Sequence, residues 1–291
     1  MDFYDINFSE VDKDLTPEER AEWQAIYASF RSGSIMTGTI VGTDVHEFSF
    51  VPKGQTKEEK QTIRCAIIIP YRVKIIIPET EMFVIPTPSG GYVLHSMGGA
   101  ETEFIITHVD RENGIAVASR KKAMEKLQFS TKRRNLTDRI VDVKVMSVGR
   151  YICVVNYGGY DVLLHKTDVN YSLVPDLRNT IHPGEVKKAK VKEFNPDEGK
   201  LKLSIKETRP HPFDGVETRH PIGTARVATV VGKYGGGVFC RLYDGVTDVL
   251  CAYDTMHYDG DFQIGDKVEI VIRKLNYERK LIYGKMIRKM C

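Results

Sequence analysis

Apolar and polar residues alternate along most of this chain, and the alternation recurs in three stretches of matching layout. They are GAETEFIITHVDRENGIAVASRKKA from Gly99, GEVKKAKVKEFNPDEGKLKLSIKE from Gly184 and GDKVEIVIRKLNYERKLIYGKMIR from Gly265, beginning 85 and 81 residues apart. Each predicts strand, tight turn, strand. A glycine opens it, residues alternate with a period of two, an Asp/Asn-centred turn follows, and a second alternating run ends in Lys or Arg. Repetition at this spacing implies an array of like modules.

One segment has a helical period instead. Thr16, Pro17 and Glu19 form a capping-box start, and Trp23, Ile26, Tyr27 and Phe30 follow at i, i+3, i+4 and i+7. This predicts an amphipathic helix ending near Ser32-Gly33, with an apolar stripe that requires a partner surface. Those four side chains are the candidate protein-docking residues.

The predicted organisation is an acidic tail and helix over residues 1–31, then a first, divergent repeat over 32–127. A polar insertion at 46–63 interrupts that repeat and reads as a long hairpin or loop. A short helix over Lys121–Gln128 runs into a basic connector at 128–138. The second repeat spans 139–208, a Pro-broken linker 209–215, and the third repeat 216–291. In the second repeat the strands are DRIVDVKVMSV, YICVVNYGG and YDVLLHKTDV, then a long loop, then KKAKVKEF and KLKLSIKE. Five short strands with one long connection match the OB-fold, a Greek-key barrel. The predicted fold class is mainly β: three tandem OB-fold barrels behind an N-terminal amphipathic helix.

Composition narrows the function. The apolar runs, such as Ala66–Ile69 and Ile75–Ile77, are far too short to span a bilayer, and the first fourteen residues are acidic where a signal peptide is basic. A cytoplasmic protein with no membrane partner is expected. Five cysteines without a C-x-x-C pair indicate neither a disulfide framework nor a zinc ribbon, so most are expected to be small core residues. Net charge is only +3, but it is unevenly spread. Residues 1–30 hold eight carboxylates against Lys13 and Arg20, whereas residues 120–139 and 267–291 each hold eight Lys/Arg against two carboxylates. An acidic head on a basic body suits a polyanionic partner, with solvated surface charge as the alternative. The head is expected to fold over the body and compete with that partner.

Particular residues carry a family resemblance. Leu163-Leu164-His165-Lys166-Thr167-Asp168, Tyr234-Gly235 followed by Val238-Phe239-Cys240, Ile264-Gly265-Asp266-Lys267-Val268 and Lys202-Leu203-Ser204-Ile205-Lys206 resemble strand motifs of the S-one RNA-binding domain. That domain is named after the largest protein of the bacterial small ribosomal subunit, and the resemblance covers roughly residues 20 to 291. It implies a single-stranded RNA partner, and a ribosomal or RNA-processing context. There are departures: the His165 position aligns with Pro78 in the first repeat and with Cys251 in the third, and the second strand-two aromatic position of repeat two holds Val154. The second and third repeats are therefore expected to do most of the binding, and the first to be structural or partner-facing.

The residue types fit that partner. Tyr151, Tyr234 and Phe239 are candidate platforms for unpaired bases, and His165 can stack or bond a base edge or 2′-hydroxyl. Lys188, Lys190 and Lys192 share one side of a strand, and Arg273, Lys274, Arg279 and Lys280 flank the last hairpin, placed to neutralise phosphates. Half-buried barrel aromatics and an exposed structural histidine are the competing explanations. Nucleotide-binding, serine-hydrolase and zinc-protease signatures are absent from the sequence, so no catalytic residue, cofactor or metal ligand set is expected. The reading is a non-catalytic single-stranded RNA binder acting in translation or RNA turnover. Its alternative is an adaptor whose barrels and Trp23 helix grip a ribosomal or nuclease component.

Overall fold

A computed structural model describes residues 15–50, 59–85, 90–253 and 258–290. The acidic head up to Asp14 and the tip of the insertion lie outside the described residues. Helix α1 (Pro17–Ser32) starts as the sequence predicts: Thr16 accepts from the Glu19 N–H, the Glu19 carboxylate accepts from the Thr16 N–H, and Gly33 ends the helix at φ 65°. The Glu22 carboxylate accepts the backbone N–H groups of Tyr71, Arg72 and Val73, pinning the helix to a strand turn.

The apolar stripe of α1 closes the end of the first barrel. Trp23 and Ile26 belong to the core that contains Phe104 and Ile106, with Tyr27 and Phe30 packed against it. Full burial of such a side chain stabilises by about 1.5–3 kcal/mol, so the stripe's partner surface lies within the same module. Trp23, Ile26, Tyr27 and Phe30, expected to dock a protein, thus pack on their own module.

The first barrel is closed in the order β1 (Met36–Phe50), β2 (Glu59–Ile68), β3 (Lys74–Pro78), β5 (Ile115–Ser119), β4 (Glu101–Asp110). Helix α2 (Gly90–His95) lies in the crossover from β3 to β4. The insertion extends the β1–β2 hairpin, with Glu47 opposite Thr62. Helix α3 (Arg120–Thr131) then leads to the second sheet, ordered β10 (Lys200–Ser204), β9 (Val186–Asn195), β6 (Ile140–Val148), β7 (Ile152–Tyr157), β8 (Tyr160–His165). The third barrel is closed as β11 (Ala225–Tyr234), β12 (Gly237–Leu242), β13 (Asp248–Ala252), β15 (Leu281–Lys289), β14 (Lys267–Asn276). In the first and third barrels closure is a parallel pairing, β3 with β5 and β13 with β15. The second is a nearly closed barrel, with no ladder between β8 and β10. Its chain turns at once into the short helix α4 (Lys166–Val169), and the Asp168 carbonyl takes the Ile205 N–H at 2.9 Å where a β8–β10 ladder would run.

The glycine that opens each sequence repeat has one structural task, performed three times. Gly99, Gly184 and Gly265 sit at φ 87°, 86° and 100°, a region L side chains avoid. Their N–H groups donate to Ile40, Val145 and Val230, each at 2.8 Å. Register shifts on β1, β6 and β11 begin at those same acceptors, so glycine and bulge together bend the first strand between its two neighbours.

The first two barrels are joined by an interface of buried apolar side chains and hydrogen bonds. Met146, from the β6 bulge, and Val154, from β7, are buried in the first barrel's core. Arg120, fully buried, donates two bonds to Asp161 at 2.7 and 2.6 Å, one to Thr102 Oγ1 at 2.8 Å and one to the Met82 carbonyl at 2.9 Å. From α3, Gln128 Nε2 donates to the Gly159 carbonyl and Thr131 Oγ1 to that of Gly158. The basic connector expected from residue 128 is thus helical as far as Thr131.

Candidate nucleic-acid interface

Strand alternation sorts the side chains of β7 and β8 into two sets. Cys153, Val155, Val162 and Leu164 fill the second core, while Ile152, Val154, Asn156, Asp161, Leu163 and His165 face outward. The first barrel covers one half of that outer face. Val154 lies in its core, and Asn156 donates to Asp161 at 2.8 Å, beside the Arg120 pair. A valine therefore suits the position where the family motif has an aromatic ring.

The other half is open. Tyr151, Ile152 and Leu163 are 46%, 47% and 64% exposed. The Lys166 N–H donates to the Tyr151 carbonyl at 2.8 Å, which brings the end of β8 against the start of β7. Arg150 and Lys166 place their charges 5.2 and 5.0 Å from the Tyr151 ring centroid, within cation–π range. His165 accepts the Thr167 N–H at Nδ1 (3.4 Å), with Thr167 Oγ1 at 2.9 Å. With Nδ1 held at Thr167, Nε2 is the ring nitrogen left for an outside partner. Ring, histidine and two cations thus form one solvent-facing corner, the arrangement that stacks a base and neutralises a phosphate.

The other predicted residues divide between places. On the third barrel Tyr234 and Phe239 are half-buried outside the core, their rings 5.4 Å apart and T-shaped. Burial pushes the Tyr234 hydroxyl's pKa up. The second barrel's Leu173 packs over Gly232, beside Phe239, and its backbone is held on both sides: its N–H donates to Asp248, and its carbonyl accepts from Arg241 at 2.6 Å. Phe239, Arg279 and Lys280 line a cleft between the second and third barrels, and Tyr234 stands behind Phe239 off that lining. Arg273 and Lys274 are exposed on β14, at a register shift. On β9, Lys190 pairs with Asp138 at 3.3 Å and Lys192 with Glu207 at 2.8 Å, while Lys188 is exposed. Exposed pairs of this kind are worth about 0–1 kcal/mol and yield readily to a phosphate.

The structure also corrects one alignment. Cys251 points into the third core, and Ala252 is the outward neighbour that corresponds to His165. Sequence reasoning missed Arg150, Lys166, Tyr171, Lys206 and His211. Arg150 precedes Tyr151, Lys166 follows His165 and Lys206 ends a quoted strand motif, so adjacency could have found these three; Tyr171 and His211 lie in a loop and a linker, without periodicity to mark them.

No family model matches the chain. Among curated proteins it is 24% identical over 294 residues to the small ribosomal subunit protein bS1 of Pseudomonas aeruginosa, covering 97% of this chain and 48% of that protein. It is 23% identical to bS1 of Neisseria meningitidis, over 90% of this chain and 45% of that protein. A shorter match, 26% identical over 59% of this chain, covers 28% of the 4-hydroxy-3-methylbut-2-enyl diphosphate reductase of Clostridium tetani. The chain spans about half the length of the ribosomal relatives it matches. Five-stranded barrels in series and similarity running through nearly the whole chain agree with the sequence motifs: this protein resembles the bS1 ribosomal proteins, with S-one-like modules in tandem.

Proposed function

We propose that the chain is a non-catalytic single-stranded RNA-binding protein of the S-one type, acting in the cytoplasm in translation or RNA turnover, with the small ribosomal subunit as a natural partner. The observation that carries this reading is the open corner of the second barrel. Tyr151 lies exposed with two cations within cation–π range of its ring, beside an exposed histidine, at the ends of adjacent strands. Base stacking on an aromatic ring contributes about 1–3 kcal/mol per base and tolerates any sequence. The first barrel serves as scaffold, its helix sealing its own core and its outer contacts fixing the second barrel. The adaptor alternative loses its anchor, because Trp23 and Ile26 are buried.

The test is fluorescence anisotropy of labelled oligo-U across a salt series. Affinity should fall steeply with salt, and Tyr151→Ala should weaken binding at every salt concentration. Absence of oligo-U binding by the wild-type chain at low salt would overturn the proposal.

A further inference from the structure

The second and third barrels do not meet along their whole edge. Below the Leu173 contact they leave a cleft of about 360 Å³, near the lower end of the roughly 300–1,000 Å³ typical of ligand pockets. One wall is the loop after α4 in the second barrel, carrying Tyr171. The Tyr171 ring lies 4.4 Å from that of His211, in the linker, and the Lys206 ammonium stands 5.3 Å from its centroid. The opposite wall is the third barrel, with Phe239 on its floor and Arg279 and Lys280 in the β14–β15 turn at its rim. The Asn276 side chain accepts the Arg279 N–H at 3.0 Å and shapes that turn.

Charge within the cleft is one-sided. The Asp248 carboxylate is taken up by Arg241 and the Leu173 N–H, and Glu207 by Lys192. Asp214 stands 3.7 Å from Lys280, at an exposed position. Lys166, Lys206 and Arg279 remain as cations on the lining, beside aromatic rings. Burial and the positive charges of Lys280 and Lys206 outweigh Asp214 and lower the His211 pKa, so its ring is neutral near pH 7 and suited to stacking. Lys166 belongs to both places: its ammonium lies over Tyr151 at the open corner, and it also lines the cleft.

Building on the RNA-binding reading, we propose that this inter-barrel cleft is a second seat for the same unpaired strand. A strand stacked on Tyr151 passes Lys166 and enters the cleft. One nucleotide there packs against Tyr171 and Phe239, and its flanking phosphates meet Lys206, Arg279 and Lys280. The strand thereby bridges the only joint of the described chain that a Pro-rich linker spans, and holds the third barrel to the second.

Anisotropy with labelled oligo-U of two lengths tests this, because a single OB module occupies about 4–16 nucleotides. The proteins are the wild type, Tyr151→Ala and the triple variant Lys206→Gln/Arg279→Gln/Lys280→Gln, whose altered side chains are outside the cores. The triple variant should bind a twelve-nucleotide strand about tenfold more weakly or worse, with the slope of log K against log salt reduced by about 2, since each single-strand phosphate contact contributes about 0.7. For a four-nucleotide strand, too short to occupy corner and cleft together, its loss of affinity should be clearly smaller than for the twelve-nucleotide strand, and 4-thiouridine in the longer strand should photocrosslink to the peptide holding Tyr171. If wild type binds and Tyr151→Ala weakens it, but the triple variant keeps full affinity for the longer strand, the cleft is not a seat and the corner stands. If wild type binds neither strand, the RNA reading itself falls.

Discussion

Replacing Asp161 by alanine should loosen the join between the first two barrels more than any single surface change. Arg120 is fully buried, whereas Asp161 is 19% exposed, so the carboxylate is the near-surface partner of a charge with no access to water. In the variant the Arg120 Nε bond to Thr102 and the Nη1 bond to the Met82 carbonyl survive, but both bonds to Asp161, from Nη1 and Nη2, are lost with the carboxylate that balances the charge. Stranding one member of a buried ion pair costs about 3–5 kcal/mol, while replacing both members with apolar groups of similar size is often neutral or stabilising. Asp161→Ala should therefore destabilise by about 3–5 kcal/mol, and Arg120→Met/Asp161→Ala should recover most of that loss. Urea denaturation followed by fluorescence of Trp23, the chain's one tryptophan, reads the first barrel directly. A single variant costing less than about 1 kcal/mol, or a double variant no more stable than the single, would refute this account of the interface.

Gly159→Ala should also destabilise the join, by about 2–4 kcal/mol in the same assay, because Gly159 has φ 90° and an added Cβ would lie 2.4 Å from the Met124 carbonyl oxygen. Tyr151→Ala should cost about 1–3 kcal/mol of oligo-U affinity and leave stability unchanged, an effect calorimetry and anisotropy separate. Burial pushes the thiol of Cys65 up to about 11 and that of Cys153 up to about 12, so at pH 8 both should resist iodoacetamide in the native protein and react once it is unfolded, as peptide mass mapping would show. Hydrogen bonds from Arg178 lower the Asp176 carboxyl to about 2. A depressed carboxylate stabilises the fold above its unfolded value and loses that effect as pH falls, so the stability gap between wild type and Asp176→Asn should be full near neutrality and close between about pH 4 and pH 2.

The modules were legible in the sequence because a half-buried strand prints its period directly, and the opening glycines at 99, 184 and 265 mark a backbone conformation that other residues avoid. The contacts between modules left no such imprint. Val154 and Met146 are apolar residues on alternating strands, and nothing in their spacing says that they fill a neighbour's core in place of their own. The helix stripe has the predicted period, but its cover, the first barrel's own core, could not be read from it, since a pattern specifies an apolar face and not what packs on it. Site residues fared likewise. Tyr151 and His165 follow from motif position, whereas Tyr171 and His211 meet across a loop and a linker far apart in sequence. Cys251 was placed one residue out because turn lengths differ between repeats, and a one-residue slip on a strand reverses the face.

The burial of Met146 and Val154 outside their own barrel makes the array directional. Beads on a string could be cut anywhere, but here a fragment beginning at the second barrel would present a bare hydrophobic scar and an orphaned Asp161. Fragments meant to dissect binding should therefore be divided after Thr208, keeping the leading pair intact. Any shuffling of such repeats by recombination must carry each acceptor surface with the helix that seals it.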